Sequence, residues 1–151
     1  TSGYETLATL QMLDQVVDIY LPDAKYAGNA VVESISSFPH YVEINRAALL
    51  EMHRQVGATL ELDAEGVARR GMIIRHLVLP EGLAGSLEVF RWIAAHLSPN
   101  LHVSLMNQYF PAYKALDHAA LGRKLTEAEY ERAIEDFFDA GMQNGWNQEC
   151  E

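Results

Sequence analysis

From Met72 to Leu79, six of eight positions carry large apolar side chains, and only Arg75 and His76 break the run. Its length, its Ile, Val and Leu content and its closure by Pro80 and Gly82 predict a strand buried on both faces, the kind found in parallel sheets covered by helices. Upstream, Leu7, Leu10, Met12 and Leu13 predict a short helix ended at Asp14 and Gln15. Val16 to Leu21, VVDIYL, predicts a strand that runs into a polar end, Pro22 to Tyr26. Ala30 to Ile35 predicts a brief helix stopped by Ser36, Ser37 and Pro39. Between Tyr41 and Val56, residues Ile44, Ala48, Met52 and Val56 recur at spacings of four with Leu49 beside them, the stripe of an amphipathic helix, and Gly57 stands where such a helix ends.

Leu60 to Gly66 has the character of a hairpin or turn. Ser86 is a candidate cap for a helix to about Leu97, with Leu87, Phe90, Ile93, Ala94 and Leu97 inward. Leu101 to Met106 predicts a third strand, with Asn107 to Pro111 as its polar end. Thr126 and Glu129 have capping-box spacing and open a last helix to about Ala140. The polar tail, QNGWNQECE, is expected to fray or to dock through Trp146. Strand, helix, strand, helix, strand, helix is a chain of βα units, and right-handed crossovers then predict a parallel sheet with outer helices. Three strands do not close a barrel. The expected fold is therefore α/β, a single domain over residues 1–151 that forms half of a barrel, with the other half expected upstream of Thr1.

Composition narrows the function classes. The 151 residues include 21 acidic and 11 basic side chains, for a net charge of −10. That balance argues against a nucleic-acid-binding surface and does not favour an anionic membrane. No apolar run reaches the ~18 residues of a membrane span, and no signal peptide opens the chain. Cys150 is the single cysteine, so no disulfide framework and no cysteine-based metal site lie within these residues. A cytoplasmic location is the default expectation.

The break in the central run carries the chemistry. Neighbours in a strand point to opposite faces, so Arg75 and His76 cannot share one pocket wall. A guanidinium in an apolar strand needs a partner; that partner is either Asp23 or a bound carboxylate. His76 then reads as structural, hydrogen-bonded under a helix. Taken alone, Lys25 reads as a solvated loop lysine and Asp23 as a turn former. His53, His96 and His118 have no ligand spacing.

Four stretches, in order, carry a family likeness: TSGY at Thr1 to Tyr4, VDIYLPDAKY at Val17 to Tyr26, IIRHLVLPEGLAG at Ile73 to Gly85, and LMNQYFPAYK at Leu105 to Lys114. Together they resemble the radical S-adenosylmethionine enzymes, in particular the pyruvate formate-lyase-activating enzyme group. The resemblance covers nearly the whole chain but only the C-terminal half of that family's partial (β/α)6 TIM-like barrel. It implies an oxidoreductase parent that cleaves S-adenosylmethionine reductively to a 5′-deoxyadenosyl radical and takes hydrogen from a substrate. By the same resemblance the substrate could be the backbone glycine of a glycyl radical enzyme, and the reductant a flavodoxin or ferredoxin.

The family's CxxxCxxC loop, which holds a [4Fe-4S] cluster, and its Gly-Gly-Glu motif are absent from these residues. The resemblance therefore implies a piece that does not by itself hold the cluster or catalyse. It carries over five cofactor-binding positions. Thr1 lies near the methionine end, Asp23 near the methionine amino group and Lys25 near its carboxylate. Arg75 is on the pocket side, and Gln108 stands where the family has a histidine. Gly82 and Gly85 would be neighbours of the adenine. Two other classes stay open: a radical-free βα-barrel enzyme with Lys25 as a Schiff-base lysine, and a non-catalytic interaction domain. An exposed edge at Val16 to Leu21 predicts a homodimer.

Overall fold

The computed structural model describes residues 1–36 and 38–148; Ser37, Cys150 and the end of the tail lie outside them. The elements are α1 (Leu7–Met12), β1 (Ile19–Tyr20), α2 (Asn29–Ile35), α3 (Tyr41–Val56), β2 (Glu61–Leu62), β3 (Ala68–Leu77), α4 (Ser86–His96), β4 (His102–Met106), α5 (Glu127–Asp139) and β5 (Asn144–Asn147). Four strands lie parallel in the order β1-β3-β4-β5, and β2 pairs antiparallel with the start of β3. Strand order thus follows chain order, as in a sheet wound in one sense. The sheet is open, with β1 and β5 at its edges.

The alternation within β3 sorts its side chains. Met72, Ile74 and His76 are buried, whereas Ile73, Arg75 and Leu77 are half-buried. β4 repeats the pattern: Val103 and Leu105 are buried, and His102, Ser104 and Met106 half-buried. Paired residues of parallel strands share a face, so the register Ile74↔Val103 and Arg75↔Ser104 extends both sets across the sheet. One face packs on Met52 and Val56 of α3, Phe90 and Ile93 of α4, and Tyr130 and Phe137 of α5, forming the main core. The other face has no helix over it among the described residues. The expectation that β3 is buried on both faces is corrected accordingly: helices cover one side only, because all the crossovers lie on it.

Further corrections concern local chemistry. The strand expected over Val16 to Leu21 narrows to Ile19–Tyr20, and Val16 and Leu21 are exposed. Ser86 does not cap α4. Gly85 occupies the cap position in a left-handed conformation, and Ser86 is the first helical residue. Asn144–Asn147 of the polar tail neither frays nor merely docks; it forms β5 beside β4, and Trp146 stacks on His102 at 5.0 Å. α3 has the expected bounds, and Thr126 with Glu129 closes the expected capping box on α5.

Candidate functional site

Residues 21–25 leave β1 at the end of the sheet and are held from both sides by backbone. Arg75 N donates to Pro22 O at 2.8 Å and Ala24 N to Arg75 O at 2.9 Å, which sets Asp23 beside Arg75 in parallel register. On the other flank the Thr1 ammonium donates to Leu21 O at 3.0 Å, and Asp23 N donates to Thr1 O at 3.0 Å. That is the hydrogen-bond pattern of one more parallel bridge. Asp23 therefore stands between Thr1 and Arg75 and, sharing a face with Arg75, points to the open side.

Its carboxylate is the centre of the site. Oδ1 accepts from Arg75 Nε at 2.8 Å and lies 2.7 Å from Nη2, and Oδ2 lies 3.4 Å from Lys25 Nζ. Asp23 is 7% exposed, while the Arg75 and Lys25 side chains are 40% and 38% exposed. Two cations thus share one carboxylate, and both keep N–H groups turned to solvent. Such a cluster has one positive charge in excess, in a chain of net charge −10. Glu5 reaches the same corner: its Oε1 accepts from the Thr1 hydroxyl, and its Oε2 is buried without a partner. A buried, unpaired carboxylate oxygen is costly unless something donates to it.

Side chains from the covered side fix this loop. Asn45 on α3 is 4% exposed, and its Nδ2 donates to Gly3 O and to Asp23 O, both at 2.8 Å. Gly3 has φ +72°, and a Cβ there would collide with Asn45 Nδ2 and Asp23 O, so only glycine fits. Tyr41 OH accepts from Lys25 N at 3.0 Å; burial pushes its phenol well above the usual range, so it stays protonated.

His76 works from below. Its Nδ1 donates to Ala24 O at 2.6 Å, Nε2 accepts from the Ser86 hydroxyl at 2.9 Å, and the ring meets Phe90 edge-on. Burial lowers its pKa to about 4, against the smaller opposing effect of the Ala24 carbonyl, so the imidazole is neutral. Ser86, expected as a cap, instead uses its hydroxyl to hold His76.

The structure thus brings Thr1, Asp23, Lys25 and Arg75 together. Gln108 lies exposed past the end of β4 and is not hydrogen-bonded to the other four. Gly85 is approached by this chain's own Ala27, whose Cβ would be 2.6 Å from a Cβ at Gly85. Glu5, Tyr41 and Asn45 escaped the sequence reading. The one signal for Asn45 was a polar residue beside the apolar stripe of α3.

No family model matches the chain, and no solved structure matches it. An uncharacterized protein of Methanocaldococcus jannaschii is 35% identical over 134 residues, which take in 87% of this chain and 35% of the archaeal protein. The chain therefore spans about a third of the length of the curated relative it matches.

Proposed function

We propose that this chain forms the methionine-binding wall of a radical S-adenosylmethionine enzyme resembling the pyruvate formate-lyase-activating enzyme group. The observation that carries the reading is the charge arrangement at the open end of the sheet. Arg75 and Lys25 share the single carboxylate of Asp23, and beside them Glu5 presents a buried, unpaired carboxylate oxygen. An α-amino acid end has the complementary pair: a carboxylate for the two cations and an ammonium for Glu5 and Asp23. Asp23 also holds both cations in place before any ligand arrives, which lowers the ordering cost of binding.

The cofactor, activated by a [4Fe-4S] cluster, supplies a carbon radical able to take a hydrogen atom from a substrate. Such a cluster needs three or four thiolates. With one cysteine in the sequence, the ligands would lie on another segment or chain. The role left to these residues is to bind and orient the methionine end. Lys25 and Arg75 anchor the carboxylate, Glu5 holds the ammonium, and Asn45, Tyr41 and His76 keep the loop rigid.

The test is a titration of the chain with S-adenosylmethionine, followed by amide NMR. The expected result is weak binding, because the cluster iron is not there to add its share. Shift changes should centre on residues 3–5, 23–25 and 75, and should vanish in Lys25→Met and Arg75→Met. No shift at these residues at millimolar cofactor, or saturation unaffected by either substitution, would overturn the reading.

A further inference from the structure

A cavity of about 60 Å³ opens on the other flank of Lys25, walled by Tyr4, Tyr26, Phe38 and Tyr41 with Lys25 at its side. The four rings form one cluster. Tyr4 stacks on Tyr41 (6.1 Å, 4°), Phe38 leans on Tyr4 at 5.3 Å, and Tyr26 meets Tyr41 edge-on at 5.4 Å. Each phenol hydroxyl is engaged within the chain: Tyr4 OH donates to Pro39 O at 2.6 Å, Tyr26 OH pairs with Ser36 Oγ at 3.2 Å, and Tyr41 OH accepts from Lys25 N. The rings are thereby fixed, and it is mainly hydrocarbon that faces the cavity.

Its volume is roughly two waters' share of liquid, well above the voids left in close-packed interiors, and it admits a group of about two or three carbons. Rings in a box would ordinarily welcome a cation through their negative faces. Here the charged side chain in the wall is itself a cation: Lys25 lines the cavity, whereas Asp23 and Glu5 do not. A cationic guest therefore meets like charge, and an anionic one meets ring faces and has to win the Lys25 ammonium from Asp23, 3.4 Å away, so a small neutral alkyl group is left as the guest. Phe38, half exposed, stands where the guest would pass.

We propose that this box seats a small uncharged aliphatic group of the substrate, beside the place where the cofactor's methionine end binds; the assignment to substrate rests on the function inferred above. It makes the substrate a compound with a short alkyl portion rather than a bare glycine backbone, which offers no side chain to fill the box.

The experiment titrates the chain with propan-2-ol as the neutral probe and with tetramethylammonium and acetate as charged ones at matched ionic strength. The aromatic NMR signals of Tyr4, Tyr26, Phe38 and Tyr41 report occupancy. Propan-2-ol is expected to give saturable shifts on these rings, and Phe38→Ala to weaken it by roughly tenfold as a ring's worth of contact is lost. Stronger binding of tetramethylammonium or acetate, no saturation by propan-2-ol, or an unchanged affinity in Phe38→Ala would each overturn the proposal. Saturation of the box with no S-adenosylmethionine shift at residues 23–25 would support the alkyl site and sink the proposed function instead.

Discussion

Arg75 and Lys25 touch the same carboxylate, yet removing them should have unequal consequences for stability. Arg75 gives Asp23 a hydrogen bond at 2.8 Å and an ion-pair contact at 2.7 Å, whereas Lys25 stands at 3.4 Å. Without Arg75 a nearly buried carboxylate loses its main partner, which is costly. Because the guanidinium is itself two-fifths exposed, the cost of Arg75→Met is put at about 1–3 kcal/mol, below that of a fully buried pair. Lys25→Met should cost less than ~1 kcal/mol, in the range of exposed pairs. Urea unfolding of the two variants checks this; equal costs would show that Arg75 is not what holds Asp23. At this scale the sequence was readable where physics forced the issue, since a guanidinium inside an apolar run had to find an anion. It was silent on Glu5 and Asn45, because their roles depend on which loops the fold brings against them.

His76 ties β3, the loop at Ala24 and the first turn of α4 into one unit, and its protonation should loosen all three. Unfolded, its pKa is near 6.5, and folded it is about 4. Between those values the unfolded chain takes a proton that the folded chain refuses. Stability is therefore full above about pH 6.5 and falls as the pH drops toward 4, by on the order of 3 kcal/mol in all. His53, also lowered by burial, acts in the same direction. Thermal unfolding from pH 7.5 to 4 should show a shallower slope in His76→Gln than in the parent chain; parallel slopes would clear the imidazole of responsibility. Among elements, α3 and α5 were readable because an apolar stripe and a capping box are local signals. β5 was not, because Asn144, Gly145 and Asn147 have little strand propensity and pair only because β4 offers an open edge. The cap of α4 was misplaced because Ser86 is drawn away by His76, a contact across ten residues.

The sheet has one face packed under helices and one that is not. Ile19, Ile73, Leu77 and Met106 are half-buried on the side without helices, and Trp146 is exposed there. At the β1 edge the last residues are already paired with Thr1, while Val16 and Leu21 remain exposed. Apolar surface of this extent on a sheet favours association. Sedimentation at several concentrations is expected to show self-association, weakened by Ile73→Lys on the open face. A monomer at all concentrations would mean that this face is tolerable to water as it stands. No helix among the described residues is long and apolar enough to cross a membrane. The expected parallel sheet with flanking helices is present and open, whereas the half-barrel was inferred from a count of three strands and the sheet does not establish it.

The adjacency of Arg75 and His76 on β3 also bears on how the chain finds its pairing. A slip of β3 by one residue would exchange the two sides. The guanidinium would then be driven under α4 with no carboxylate to meet it, and the imidazole would lose both Ala24 and Ser86. Flanking Ile, Val and Leu would tolerate the exchange far better, since they are apolar on either side. The two polar residues are thus the proofreaders of strand registration: a misaligned sheet is penalised at one point by a stranded charge and at the next by a ring without partners, and only the in-register pairing satisfies both.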